Sequence, residues 1–223
     1  MGKIVAIGGG EIGRQGYPVE TTGIDKEIIR LSGVVNPRLL FIPTATSDAE
    51  SYVEAVHKHF GEDLGCTIDT LYLVKEKPGI SEIRDKVLNA NIIYVGGGNT
   101  LKMLKIWRNL GVDKILHEAY ERNIVLSGLS AGAICWFRYG SSDSRKFANP
   151  DAGFDLPPLD DTSYNLVKGG SKWPKRDTRL SRSSTSSARQ RYCFSRELPS
   201  PLSARQSGSA AILTIAGIKS MVV

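Results

Sequence analysis

The sequence is short of the residues that build disulfide frameworks and metal centres. It contains 3 cysteines and 3 histidines in 223 residues. The cysteines (Cys66, Cys135 and Cys193) are too few and too scattered for either kind of site, so we interpret them as reduced thiols in a reducing compartment. No run approaches the roughly 18 apolar residues that span a bilayer, and the N-terminal MGKIVAIGGG fits a core strand better than a signal peptide. We therefore expect a cytoplasmic protein without membrane contact or metal.

Acidic residues are scarce at one end of the chain only. Residues 168–223 hold 11 lysines and arginines against 2 acidic residues, whereas residues 1–167 hold 18 against 21. The net charge of +6 therefore comes from the tail. The rest of the chain has the charge balance of an ordinary globular protein and no evident affinity for polyanions.

From Lys3 onward, apolar segments of strand length alternate with amphipathic helical segments. This order predicts a three-layer α/β fold with a mainly parallel, doubly wound sheet. We expect the third strand at 67–74, and a helix that begins at a capping box, SDAE at 47–50. That helix carries His57 and His59, which are two residues apart and point to different faces, so we expect no shared metal site. We interpret both as surface or boundary histidines.

A glycine-rich stretch follows the first strand. GGGEIG at 8–13 matches the G-x-G-x-x-G pattern of dinucleotide-binding proteins, but seven further residues, 14–20, delay the next helix. The second strand also ends in Pro43-Thr44 rather than in an acid. We therefore interpret this stretch as a ligand-facing loop at the carboxyl end of a strand, and expect no bound NAD.

The chain is organised around IVLSGLSAGAICW at 124–136. An apolar strand leads into GLSAG at 128–132, which matches the G-x-S-x-G nucleophile elbow, and an apolar helix start follows. Ser130 would occupy the turn, where small neighbours allow strand and helix to approach closely. The first amides of the helix would face a developing oxyanion. The same pattern also fits a glycine-rich turn that serves packing alone.

Three motifs occur in the order typical of one family: IPTA at 42–45, YVGGGNT at 94–100 and GLSAGA at 128–133. With YGSSDSRKF at 139–147, they make residues 1–151 resemble the aspartyl dipeptidase (peptidase E) family, peptidase family S51. That family has the sheet of class I glutamine amidotransferases, with serine in place of cysteine. The resemblance implies a serine peptidase that hydrolyses short peptides, including those with an N-terminal aspartate, without a metal or organic cofactor.

By this resemblance Ser130 is the nucleophile, and the backbone amides of Gly98 and Ala131 are the oxyanion donors. Asp143 is the candidate for the acid that orients the catalytic histidine, and the alternative is that it caps a loop. The family's histidine lies downstream of the elbow, whereas this sequence has none after His117. Nothing in their spacing recommends the downstream lysines (Lys168, Lys172 and Lys175) as a substitute. Because a serine hydroxyl needs a base, we expect little or no turnover.

Residues 152–223 depart from the family pattern. The stretch 171–209 is crowded with serine and arginine and has no periodicity, which is typical of disorder. We expect a peptidase E-like domain at 1–151 and a poorly ordered basic tail at 152–223. Our preferred hypothesis is that the tail is translated out of frame from a gene whose intact form encodes the remaining strands and the histidine. The alternative is an arm that contacts nucleic acid through phosphates.

The sequence leaves two classes of function open. One is the impaired peptidase. The other is a non-catalytic module of amidotransferase-like fold, which would hold a small ligand in the crevice formed by residues 8–10, residues 96–98 and Ser130. The side chain of the substrate, the choice between α- and β-aspartyl bonds and the oligomeric state do not follow from the sequence.

Overall fold

The computed structural model describes residues 2–137, Ser142, Ser144 and two strands near the end of the chain. The strands are β1 (Lys3–Ile7), β2 (Arg38–Ile42), β3 (Thr67–Thr70), β4 (Ile92–Val95), β5 (Val125–Leu129), β6 (Ala211–Ile215) and β7 (Ile218–Val222). The helices are α1 (Thr22–Ser32), α2 (Glu50–Val56), α3 (Ile80–Leu88), α4 (Thr100–Leu110), α5 (Val112–Glu121) and α6 (Ala131–Ile134). A 3₁₀ turn covers Thr44–Thr46, and a π-helical segment, His57–Asp63, directly follows α2. Within these described ranges, no helix has the length and apolar character needed to cross a membrane.

The strands form a 7-stranded sheet in the order β3-β2-β4-β5-β1-β7-β6. Strands β1 to β5 pair in parallel, which confirms the predicted α/β fold with a mainly parallel sheet. Strand β7 adds in parallel to β1, and β6 pairs antiparallel to β7 at the edge. Both of these strands lie within residues 152–223, the predicted tail. Apart from them, the predicted tail lies outside the described residues.

The core consists of two apolar clusters, one on each face of the sheet. Neighbouring residues of a strand contribute to opposite clusters, as Ile4 and Val5 do, because successive side chains of a strand point to opposite faces. One cluster joins the sheet to α3, α4, α5 and α6, and the other joins it to α1, α2 and the π-helical segment. This is the predicted three-layer arrangement. It explains why the inner strands are apolar throughout, since both of their faces are covered.

The predicted capping box is wrong, and so is the end of the third strand. Helix α2 begins at Glu50 without a capping side chain. The two residues that would form the box have other partners: the Ser47 hydroxyl accepts Lys102 Nζ at 2.6 Å, and the Glu50 carboxylate accepts Lys75 Nζ at 3.0 Å. Strand β3 ends at Thr70, and the buried carboxylate of Asp48 holds the loop that follows by accepting the amides of Val74 and Lys75 at 2.7 and 3.0 Å.

Candidate active site

The loops after β1, β4 and β5 lie at one edge of the sheet. These strands are neighbours and run parallel, so their carboxyl ends meet. This edge is where open α/β sheets bind ligands. The structure thus brings together the loops at residues 8–10 and 96–98 and Ser130.

Ser130 occupies a sharp turn between β5 and α6. Its backbone has φ 55° and ψ −108°, a conformation that costs a residue with a Cβ of the order of 1–3 kcal/mol. Its amide donates to the carbonyl oxygen of Ile7 at 2.8 Å, which ties the turn to β1. The residue itself is exposed. Strand, strained turn and helix therefore present this hydroxyl at the crevice.

Two glycines allow β5 and α6 to come together around this turn. A Cβ on Gly128 would lie 2.5 Å from the carbonyl oxygen of Gly132, and a Cβ on Gly132 would overlap the carbonyl of Val95 in β4. Neither position can accept a side chain without moving backbone. The glycines of the G-x-S-x-G pattern are therefore required by close approach, as the sequence predicts.

Gly98 lies in the loop after β4, with φ 136°. The neighbouring amides of this loop are occupied: Gly96 donates to Ile42, Gly97 to the Tyr52 hydroxyl and Asn99 to Ala45. The amide of Gly98 has no hydrogen-bond partner among the residues that the structure describes. It is thus the amide of this loop that remains able to bind a ligand oxygen.

The Gly98 loop touches the serine turn. A Cβ placed on Gly97 would lie 3.3 Å from the Cβ of Ser130. On the other side of the serine, Ala131 is the first residue of α6, so its amide has no acceptor within the helix. The Gly98 loop and the start of α6 therefore both adjoin Ser130.

Asp143 lies outside the described residues, but both of its chain neighbours are described. Ser144 is buried, and its hydroxyl accepts the amides of Thr100 and Leu101 at 2.8 and 3.4 Å. The Ser142 hydroxyl contacts that of Ser144 at 2.8 Å. These serines cap α4, directly after the Gly98 loop. Nothing in the sequence predicts this cap, because 44 residues separate Ser144 from Thr100.

His59 is not a surface or boundary residue as expected, although His57 is exposed. His59 is 3% exposed, and its Nε2 lies 2.9 Å from Oδ2 of the buried Asp25, which also accepts the hydroxyl of Thr21. Burial is the main influence on Asp25 and raises the pKa of its carboxyl. His59 lies in the π-helical segment, where the spacing of side chains differs from that of an α-helix. The hydrogen bond to the Asp25 carboxyl offsets the cost of burying the imidazole.

Each histidine has a partner other than Ser130. His57 Nε2 lies 3.2 Å from the Thr70 hydroxyl, and His117 Nε2 lies 3.4 Å from a carboxylate oxygen of Glu121. With His59 bound to Asp25, none of the three contacts the serine hydroxyl in the described part of the chain. The candidate site therefore joins Ser130 to backbone donors, but not to a histidine.

Comparison with known proteins bears on this geometry. Residues 4–168 match the model of peptidase family S51. The chain belongs to this family. The match confirms the resemblance inferred from the motifs, and extends past residue 151.

Curated relatives of this S51 member are described as uncharacterized peptidases. The Bacillus subtilis relative YgaJ is 39% identical over 146 residues, which are 65% of this chain and 60% of that protein. A Listeria monocytogenes relative is 36% identical over 46% of this chain and 50% of its own length. A Pasteurella multocida relative is 31% identical over 60% and 63%. The chain thus spans about half to three fifths of the length of these relatives.

Solved structures share the fold. A peptidase from an acI-B1 actinobacterium has a TM-score of 0.53 at 21% identity, covering 64% of this chain and 59% of that one. A peptidase E protein from Listeria monocytogenes has a TM-score of 0.53 at 24% identity, covering 75% and 76%. At these identities the likeness concerns the α/β architecture alone.

Proposed function

We propose that the chain carries the nucleophile half of a serine-type peptidase site of the aspartyl dipeptidase type. The observation that carries this proposal is the strained, exposed turn at Ser130. The amide of Gly98, which has no partner among the described residues, and the first amide of α6 belong to the segments next to this turn. Membership of a peptidase family supports the proposal. The substrate class is short peptides, including those with an N-terminal aspartate.

In the proposed reaction, Ser130 Oγ attacks the carbonyl carbon of the scissile bond. The amides of Gly98 and Ala131 hold the resulting oxyanion, the peptide amine leaves, and water then hydrolyses the acyl-enzyme. The serine proton has to pass to a base and from there to the leaving amine. Asp143 is the proposed acid for a family histidine that is missing between residue 118 and Val223.

The missing histidine sets the expected rate. Losing the base of a serine–histidine couple costs on the order of a millionfold in kcat. With a typical kcat of about 10 per second, we expect hydrolysis of aspartyl dipeptides at about 0.00001 per second.

A fluorophosphonate probe and an aspartyl-dipeptide assay test the proposal together. We expect slow, covalent labelling that disappears in Ser130→Ala and persists in Ser81→Ala, an exposed serine on α3 that serves as the matched control. Equal labelling of all three proteins would show that Ser130 is no nucleophile. Rapid hydrolysis lost in Ser130→Ala would confirm the nucleophile and refute the predicted impairment.

A non-catalytic ligand-binding function would use the same crevice. A Cβ on Gly8 or Gly9 would meet no atom within 4 Å, so the floor of the β1 loop is open to a ligand. A shift in melting temperature with acidic dipeptides, without labelling or hydrolysis, would favour this second function.

A further inference from the structure

The loop from β1 to α1 is an ordered structure at the rim of the crevice. Ile12 and Val19 form an antiparallel bridge, and the amide of Glu20 donates to the carbonyl of Glu11 at 2.7 Å. The carboxylate of Glu20 accepts the amide of Glu11 in return, at 3.1 Å. The loop therefore holds the side chains at its tip in defined places.

Glu11 serves as an internal anchor of this loop. Its carboxylate accepts the amides of Ile12 and Arg14 at 2.9 and 3.0 Å, together with the Nε edge of the Arg14 guanidinium at 2.9 Å. The Arg14 side chain is the main influence, and holds the pKa of Glu11 at about 2. Only 12% of the Glu11 side chain is exposed. Its oxygens are thus committed to the loop and to Arg14.

Arg14, in contrast, faces outward. Its side chain is 61% exposed, and its guanidinium lies 5.8 Å from the centre of the Tyr17 ring. Glu11 takes the edge formed by Nε and Nη2. The other nitrogen, Nη1, has no partner among the described residues. The structure therefore presents part of a guanidinium, already oriented, to a ligand.

The loop that carries Arg14 is tied at its start to the serine turn. Burial raises the pKa of the Tyr52 hydroxyl to about 12, against the smaller effect of the Arg14 charge, which lowers this pKa. The Tyr52 hydroxyl accepts the amide of Gly97, which lies against Ser130. The loop itself begins after Ile7, whose carbonyl accepts the amide of Ser130. Arg14 thus lies on a loop that starts beside the serine turn, at the carboxyl end of the sheet.

We propose that Arg14 binds a carboxylate of the peptide held in this crevice. Arginine matches a carboxylate through paired N–H donors, and an anchored guanidinium loses less conformational freedom on binding than a free one. The inference rests on the proposed function insofar as the ligand is a short peptide. Two carboxylates of such a peptide have the required chemistry: the side chain of an N-terminal aspartate and the free C-terminus.

Binding by the full chain carrying Ser130→Ala tests this role without interference from cleavage. Titration of Asp-Leu is followed by calorimetry or by NMR shifts. Adding Arg14→Gln is expected to raise the dissociation constant about tenfold, the cost of a charge-assisted hydrogen bond. The matched control is Arg30→Gln, because Arg30 makes the same i,i+3 pair with Glu27 and is 65% exposed, but lies on α1. Arg30→Gln should leave the dissociation constant unchanged.

A double variant separates lost attraction from new repulsion. Arg14→Gln leaves the carboxylate of Glu11 without its cation, and this charge could itself repel the ligand. The variant Glu11→Gln with Arg14→Gln removes both charges, and is expected to bind Asp-Leu as weakly as Arg14→Gln alone. Restored binding in the double variant would overturn the proposal.

Three further peptides identify the carboxylate. Asn-Leu lacks the side-chain carboxylate, Asp-Leu amide lacks the terminal one, and Asn-Leu amide lacks both. If Arg14→Gln no longer raises the dissociation constant of one of the first two peptides, the carboxylate that this peptide lacks is the group that Arg14 binds. Equal affinity of the parent and Arg14→Gln for Asp-Leu, or no binding of Asp-Leu at millimolar concentration, would refute the inference. Fluorophosphonate labelling of Ser130 tests the peptidase proposal, whereas peptide titration tests the role of Arg14. The failure of one proposal can therefore be distinguished from the failure of the other.

Discussion

Ser130 and His59 are residue types that cooperate in serine peptidases, yet they belong to different regions of this molecule. Ser130 is exposed at the carboxyl edge of the sheet, in a strained backbone conformation. His59 is buried on the face covered by α1 and α2, bound to Asp25 and edge-on to the ring of Phe60 at 5.3 Å. One residue is presented to a ligand, and the other is committed to the core.

The difference shows how environment separates a reactive residue from a structural one. Strain at Ser130 costs folding free energy, which is consistent with the proposed role of its exposed hydroxyl. A buried, hydrogen-bonded imidazole next to a carboxylate instead connects the π-helical segment to α1. Residue type alone would have ranked the histidine with the catalytic candidates.

The largest effect is expected from breaking the buried pair. His59→Leu leaves the buried Asp25 carboxyl with the Thr21 hydroxyl but without its imidazole partner, so we expect the free energy of unfolding to fall by about 3–5 kcal/mol. His117→Leu removes a half-exposed histidine paired with Glu121 and should cost less than about 0.5 kcal/mol. Urea denaturation of both variants measures this. Equal losses would mean that His59 is no more structural than a surface residue.

A smaller loss is expected at the serine turn. Gly132→Ala forces a Cβ into the carbonyl of Val95, and overpacking of this kind costs about 1–3 kcal/mol. Gly8→Ala is the control, since its Cβ would meet no neighbour, and should change stability by less than about 0.5 kcal/mol. Thermal unfolding compares the two. If both are tolerated, close packing does not explain the glycines of the elbow.

The smallest expected effect is a gain in stability. Ser130→Gly relieves the positive φ, so we expect the free energy of unfolding to rise by about 1 kcal/mol while fluorophosphonate labelling is lost. The same change at Ser81, in the first turn of α3, should instead cost about 0.5–1 kcal/mol. A loss of stability in Ser130→Gly would contradict the idea that strain is stored at this turn.

Local patterns were sufficient where burial follows directly from sequence. The apolar runs of β1, β2, β4 and β5 and the GLSAG turn were predictable because strands covered on both faces are apolar and close approach requires glycine. Patterns failed where a side chain had a distant partner. Ser47 and Glu50 fit a capping box in sequence, but the fold brings the ammonium groups of Lys102 and Lys75 to them.

The sequence by itself determined the α/β alternation, the place of Ser130 and the absence of a histidine after His117. Tertiary structure decided which of the glycine-loop amides has no partner among the described residues, which histidine is buried, and that Glu11 anchors the Arg14 guanidinium. The physical reason is the separation in sequence of the groups that interact. Strand patterns and tight turns depend on neighbours in sequence, whereas hydrogen-bond partners and burial of polar groups depend on segments that only the folded sheet brings together.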